Sequence, residues 1–268
     1  MTNARGFPQL RIVHLSDLHF GKKHICNPPD PSGSAKGIPT LEQRLLDDLT
    51  ADDWAGPALA QSSMGELEIP LVLAITGDLT QTADQKEFDK AADLIESLLS
   101  KPVLGTRIGL KDVFIIPGNH DVIYSNQLPE HRFPFYCNMY NRVFESLQPN
   151  SRIFARPGRA IDLNQVHAFP ESRFMIAEIN SCFYVEKETE DESRGQVDHE
   201  AIALLRRLLD KHRKDSKQWI KVALVHHHPV LMPFFCRAWK ALRCDFFKRE
   251  LTSAASSRAW LPGASSRP

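Results

Sequence analysis

No net charge points this chain towards a polyanion: 33 lysines and arginines are balanced by 33 aspartates and glutamates. Attraction for nucleic acid or an anionic membrane has no global source, so nucleic acid is not an expected partner and any affinity for phosphate has to be local. No apolar run approaches the ~20 residues needed to cross a bilayer. The amino terminus, Met-Thr-Asn-Ala-Arg-Gly-Phe-Pro, has no hydrophobic stretch of the secretory kind. Cysteine is sparse and scattered. Cys26, Cys137, Cys182, Cys236 and Cys244 are odd in number and nowhere form Cys-x-x-Cys, which argues against a disulfide framework and for free thiols in a reducing cytoplasm. Histidine runs out early: of 11, the last is His228, and no Gly-His pair follows Pro229.

What is present is a repeated local arrangement, a short apolar run that stops abruptly in polar residues. Val113 to Ile116 runs into Pro117-Gly118 and then Asn119-His120-Asp121. An apolar run bounded by Pro-Gly reads as a buried strand with a turn at its carboxyl end, the end at which open α/β sheets bind ligands. Leu10 to Leu15 is followed by Ser16-Asp17-Leu18-His19, Leu71 to Thr76 by Gly77-Asp78, and Ile220 to Val225 by His226-His227-His228-Pro229. In an extended segment Asp17 and His19 point to one face and can chelate one ion. Asn119 offers a neutral oxygen, His120 a proton donor or acceptor near neutral pH, and Asp121 a carboxylate able to orient its neighbour.

The remaining chain reads as a scaffold for these strand ends. Its 268 residues, 42% hydrophobic, suffice for one large α/β domain. Helical spacing marks Leu41 to Leu49, with Thr40 as N-cap, Asp84 to Leu99, and Asp198 to His212. Residues 131 to 147 crowd Phe133, Phe135, Tyr136, Tyr140 and Phe144 into another helix and its approach, an aromatic stripe expected in the core. Shorter apolar segments from Ile153 to Asn180, notably Arg173 to Ile179, suggest a second sheet. Residues 21 to 40 read as a loop at the rim of the site, with Lys22, Lys23 and His24 on a solvated surface.

Taken in order, these blocks resemble the calcineurin-like metallophosphoesterase family, whose signature runs Asp-x-His, Gly-Asp, Gly-Asn-His-Asp/Glu, His and Gly-His-x-His. Four blocks match over roughly residues 10 to 230, and the fifth is absent. The resemblance implies an αββα sandwich of two mixed sheets flanked by helices, here incomplete at the C-terminus, with residues 1–230 as a partial phosphoesterase domain. It implies two divalent metal ions, manganese, iron or zinc, and a small phosphoester substrate, cyclic nucleotides among them. Asp17 and His19 would bind one ion, Asp78 would bridge, and Asn119 and His227, with His226 as the alternative, would bind the other. His120 would be the general acid. Gln81 stands where the Ser/Thr phosphatase branch has an aspartate that orients this histidine, with Asp121 as its substitute. Residues 231–268, biased to Ala, Ser, Arg and Pro, read as an aberrant or disordered tail, as from a frame shifted near codon 232, which would leave the domain aggregation-prone and weakly active.

Overall fold

The computed structural model describes residues 8–21, 41–50, 69–125, 128–147, 155–156, 158–187 and 195–227. All of them belong to the first of two units, Met1–His228, and the second, Pro229–Pro268, lies outside them. The expectations for the tail, for the loop of residues 22–40 and for the Thr40 cap therefore fall on residues that are not described.

Three short strands, β1 (Arg11–Leu15), β2 (Leu71–Thr76) and β3 (Val113–Ile116), form a parallel sheet in that order. Every residue of β2 and β3 is buried, so the strands are covered on both faces and their continuous apolar sequences follow from that. Alternation assigns the side chains to two layers. Leu71, Leu73, Ile75, Val113 and Ile115 enter the larger core, together with Phe88, Ile95, Leu98, Tyr136, Tyr140 and Phe144 from the helices α2 (Gln85–Ser100) and α3 (Pro134–Phe144). Val72, Ala74, Phe114 and Ile116 face the other way, onto Phe174, Ile176 and Leu224 of the second sheet. Each fully buried Leu, Ile, Val or Phe contributes about 1.5–3 kcal/mol, so the inter-sheet layer is a major source of stability. The aromatic stripe of α3 is core, with Phe88 packed edge-on to Tyr136.

The second sheet is mixed. β4 (Gln165–Phe169) pairs antiparallel with β5 (Phe174–Glu178), which pairs parallel with β6 (Ile220–Leu224). The fourth helix, α4 (His199–Lys211), packs on β4, and α1 (Leu41–Thr50) packs beside α2. The Asp198 and Asp84 side chains cap α4 and α2 by accepting backbone N–H bonds, which satisfies donors that a helix start leaves open. The order is helices, sheet, sheet, helix. No described helix is long and apolar enough to cross a membrane.

At its outer edge β3 would expose backbone groups inside the protein. Two side chains prevent this: Ile115 N–H donates to a buried Glu178 carboxylate oxygen (2.8 Å), and the Ile115 carbonyl accepts the Tyr136 hydroxyl (2.9 Å). The other Glu178 oxygen lies 2.7 Å from His167 Nε2. This joins the two sheets at the strand that leads into Asn119. Glu178→Ala is expected to lower the unfolding free energy by about 3 kcal/mol, because a buried donor and a partly buried imidazole lose their acceptor. Urea denaturation at neutral pH measures it, and a loss below about 1 kcal/mol would show that water takes over the carboxylate's role.

Candidate metal centre

Strands β1, β2, β3, β5 and β6 all end at one rim, where their following residues touch. Cys182 Sγ, after β5, reaches the Pro117 carbonyl after β3 (3.4 Å), and His226 Nδ1, after β6, reaches the Thr76 carbonyl at the end of β2 (2.7 Å). Beyond β1 and β2 the two chains stay paired. Asp17 N–H donates to the Gly77 carbonyl, His19 N–H to Asp78, Phe20 N–H to Leu79, and Gln81 N–H to Phe20.

This pairing runs through left-handed backbone. Asp17 (φ 57°), His19 (φ 46°) and Asp78 (φ 52°) all have positive φ, a conformation that costs an L-residue about 1–2 kcal/mol. The extended geometry expected for Asp-x-His is therefore corrected: the two side chains converge, with His19 Nε2 3.7 Å from Asp17 Oδ1, because the loop is held in a left-handed turn against its neighbour. Gly77 and Gly118 let the Asp78 and Asn119 loops meet. A β-carbon on Gly77 would lie 2.6 Å from Gly118 N and 2.7 Å from the His226 ring, and one on Gly118 would strike Asp78.

Asp78 sits at the middle of the cluster, with 6% of its side chain exposed. One oxygen, Oδ2, faces His19 Nε2 (3.7 Å); the other, Oδ1, faces His226 Nε2 (3.4 Å) and accepts the His120 N–H (2.9 Å). Ligating atoms of His19, Asp78 and His120 all lie within 4.8 Å of one another. Burial alone would raise the Asp78 pKa, but the hydrogen bond and charge of His226 and the His120 N–H outweigh it and hold the group below its ordinary value. Burial pulls the other way on His226, yet its bond to Asp78 and the Asp78 charge push it up to about 9.

The triple histidine divides its work. His226 turns inward, with Nε2 3.1 Å from Asn119 Oδ1. His227, the residue favoured from sequence as a ligand, turns away into a buried pocket, where its Nδ1 is 2.8 Å from Ser181 Oγ and 3.9 Å from Cys182 Sγ. His228 lies outside the described residues. No spacing rule anticipates the contacts that set His226 and His227 apart, because Thr76, Asn119 and Ser181 are remote from them in the chain.

Asp121 does not orient His120. Its fully buried carboxylate accepts from the N–H groups of Leu79 (3.2 Å), Thr80 (2.9 Å) and Gly118 (2.9 Å) and from the Thr80 hydroxyl (2.9 Å). That ties the Gly-Asp turn to the Asn-His turn. Burial, aided by the Asp78 charge, pushes Asp121 up to about 6 against those donors, so the carboxylate is ionised at neutral pH and matched to them. His120 is held instead by a main-chain group, its Nδ1 3.0 Å from the Gln81 carbonyl. A carbonyl only accepts, so Nδ1 carries hydrogen and Nε2 is left for the site. His226 follows the same rule through the Thr76 carbonyl. Imidazoles that bind metal are characteristically fixed in this way.

The donor set of Asp17, Asp78, Asn119, His19 and His226 fits divalent ions: two carboxylates, one amide oxygen and two imidazoles, of which His226 is anchored through Nδ1 on the Thr76 carbonyl. Without metal, the raised His226 pKa sets a pH dependence. Its pairing with Asp78 contributes stability that is complete below the unfolded value of 6.5 and lost as pH rises through about 9. The melting temperature of metal-free protein is expected to fall across that window, and His226→Asn should flatten the slope. An unchanged slope in the variant would place the titration elsewhere.

No curated protein matches this sequence. The calcineurin-like phosphoesterase family matches residues 10–250, nearly the whole chain and all of the residues just described. The chain belongs to the calcineurin-like phosphoesterase family, a family of metal-dependent phosphoester hydrolases.

Proposed function

We propose that the chain hydrolyses small phosphodiesters at a dinuclear metal centre bridged by Asp78. The observation that supports this most is the placement of the Asp78 carboxylate, buried, with one oxygen towards His19 and the other towards His226. In this reading Asp17, His19 and Asp78 would hold one ion, and Asp78, Asn119 and His226 would hold the other. His226 takes the role that sequence reasoning gave first to His227. Manganese, iron or zinc ions would neutralise the phosphoryl oxygens and lower the pKa of water towards ~7, so that hydroxide is present at neutral pH.

The protein's own part is to place charge and a proton. Asp17 and Asp78 carry the negative charge that would hold cations at the rim. His120, its Nδ1–H fixed on the Gln81 carbonyl, would take a second proton at Nε2 and give it to the alcohol oxygen as the ester bond breaks. The chain's neutral balance leaves attraction for phosphate to this locus. Cyclic nucleotides are within the class of diester the reading covers. A reducing, cytoplasmic setting accords with Cys137 and Cys182, both unpaired and buried.

A metal- or phosphate-binding module without turnover is the second reading, and the grouping of His19, Asp78 and His120 within 4.8 Å of one another, a set that would suit a single ion, favours it. Metal analysis together with turnover of bis(p-nitrophenyl) phosphate separates the two. Asp78→Asn is expected to lose both ions and all turnover. His120→Ala is expected to keep its metal while turnover falls by about 10²–10⁴. Full metal in Asp78→Asn would remove the bridge from the account, and bound metal without turnover in the native chain would select the second reading.

A further inference from the structure

The carbonyl that orients His120 belongs to a turn that would not stand unaided. Ala83 in that turn has φ 55°, a conformation disfavoured for alanine. Glu87, in the first turn of α2, holds it: one carboxylate oxygen accepts from the Gln81 N–H (3.0 Å), the Thr82 N–H (2.8 Å) and the Thr82 hydroxyl (3.1 Å). A glutamate three residues after an N-cap ordinarily reaches back to the N-cap N–H, closing a capping box. Glu87 follows Asp84 at that spacing, and it reaches two and three residues further back. The Asp84 side chain caps the helix through Lys86 N–H, so the Glu87 carboxylate is left to the turn.

From there two short links reach the site. The Gln81 carbonyl takes His120 Nδ1 at 3.0 Å, and the Gln81 N–H that Glu87 holds also lies against the Phe20 carbonyl (3.0 Å), next to His19. The fit is close: a β-carbon on Gly21 would be 2.5 Å from the Gln81 side-chain oxygen and 2.8 Å from a Glu87 carboxylate oxygen. We propose that Glu87 is a positioning residue for His120, acting through the Gln81 peptide in place of a carboxylate bound directly to the ring. Its hydrogen bonds among the described residues go to Gln81 and Thr82, not to a proposed metal ligand. Its effect is to keep hydrogen on Nδ1 and to aim Nε2 into the site, so that on the reading given above the further proton that His120 takes up and gives to the leaving oxygen sits at Nε2.

The test reads the ring itself, in the full-length, metal-free protein, so its outcome does not depend on turnover. Long-range nitrogen–proton spectra of the histidine rings, recorded where His120 is neutral, are expected to show a single Nδ1–H form in the native chain. Glu87→Ala should convert it to a mixture of tautomers, and Glu87→Gln, which keeps an acceptor oxygen, should restore the single form. In metal-loaded protein Glu87→Ala should lower kcat by about 10-fold with KM and metal content unchanged. An unchanged His120 tautomer in Glu87→Ala, or loss of metal from it, would overturn the proposal. Should that variant fail to fold, Glu87→Asp keeps the charge but shortens the reach; a tautomer mixture in it would support the proposal, and an unchanged tautomer or lost metal would overturn it. A native chain without turnover would count against the phosphodiester reading alone, and the tautomer result would still decide the role of Glu87.

Discussion

A carboxylate removed from water is costly unless positive charge reaches it, and the architecture of this rim follows from meeting that condition at Asp78. In the metal-free protein His226 meets it, and the two pKa values move apart as a consequence, Asp78 down and His226 up to about 9. The charge that holds the metal-free cluster together is therefore a proton on His226, and in the proposed site loading a divalent ion would displace it.

Holding Asp78 in place takes support from several elements. Its own φ of 52°, and those of Asp17 and His19, are strained, and strained backbone persists only where surrounding bonds over-determine it. Asp121 supplies four acceptor contacts to the turns on either side. The paired loop after β1 supplies the next tier, and the Glu178 bond to Ile115 fixes the strand that delivers Asn119. These contacts join segments far apart in sequence, so the geometry of the site depends on both sheets being docked.

That distance also explains what the sequence makes legible. The buried strands β2 and β3 and the helix α2 can be read because period and composition are local, and each strand end announces itself by an abrupt change to polar residues. The pairing of Glu178 with Ile115 has no such signal. Asp17-Leu18-His19 looks extended because alternation is the simplest way to bring two side chains to one face; the left-handed turn that does it depends on carbonyls of Gly77 and Asp78. Asp121 looks like the partner of His120 because it is adjacent, yet adjacency within a tight turn sends the two side chains apart, one to backbone amides and one to the Gln81 carbonyl. His226 and His227 differ only in what lies opposite them, Thr76 and Asn119 for one and Ser181 for the other.

Asp78 is proposed to stand between two ions, one served by His19 and the other by His226. Anomalous scattering from crystals of the manganese-loaded protein tests this directly. Two peaks flanking the Asp78 carboxylate, one beside Asp17 and His19 and one beside Asn119 and His226, are the expected result; a single peak, or a second peak at His227, would contradict it.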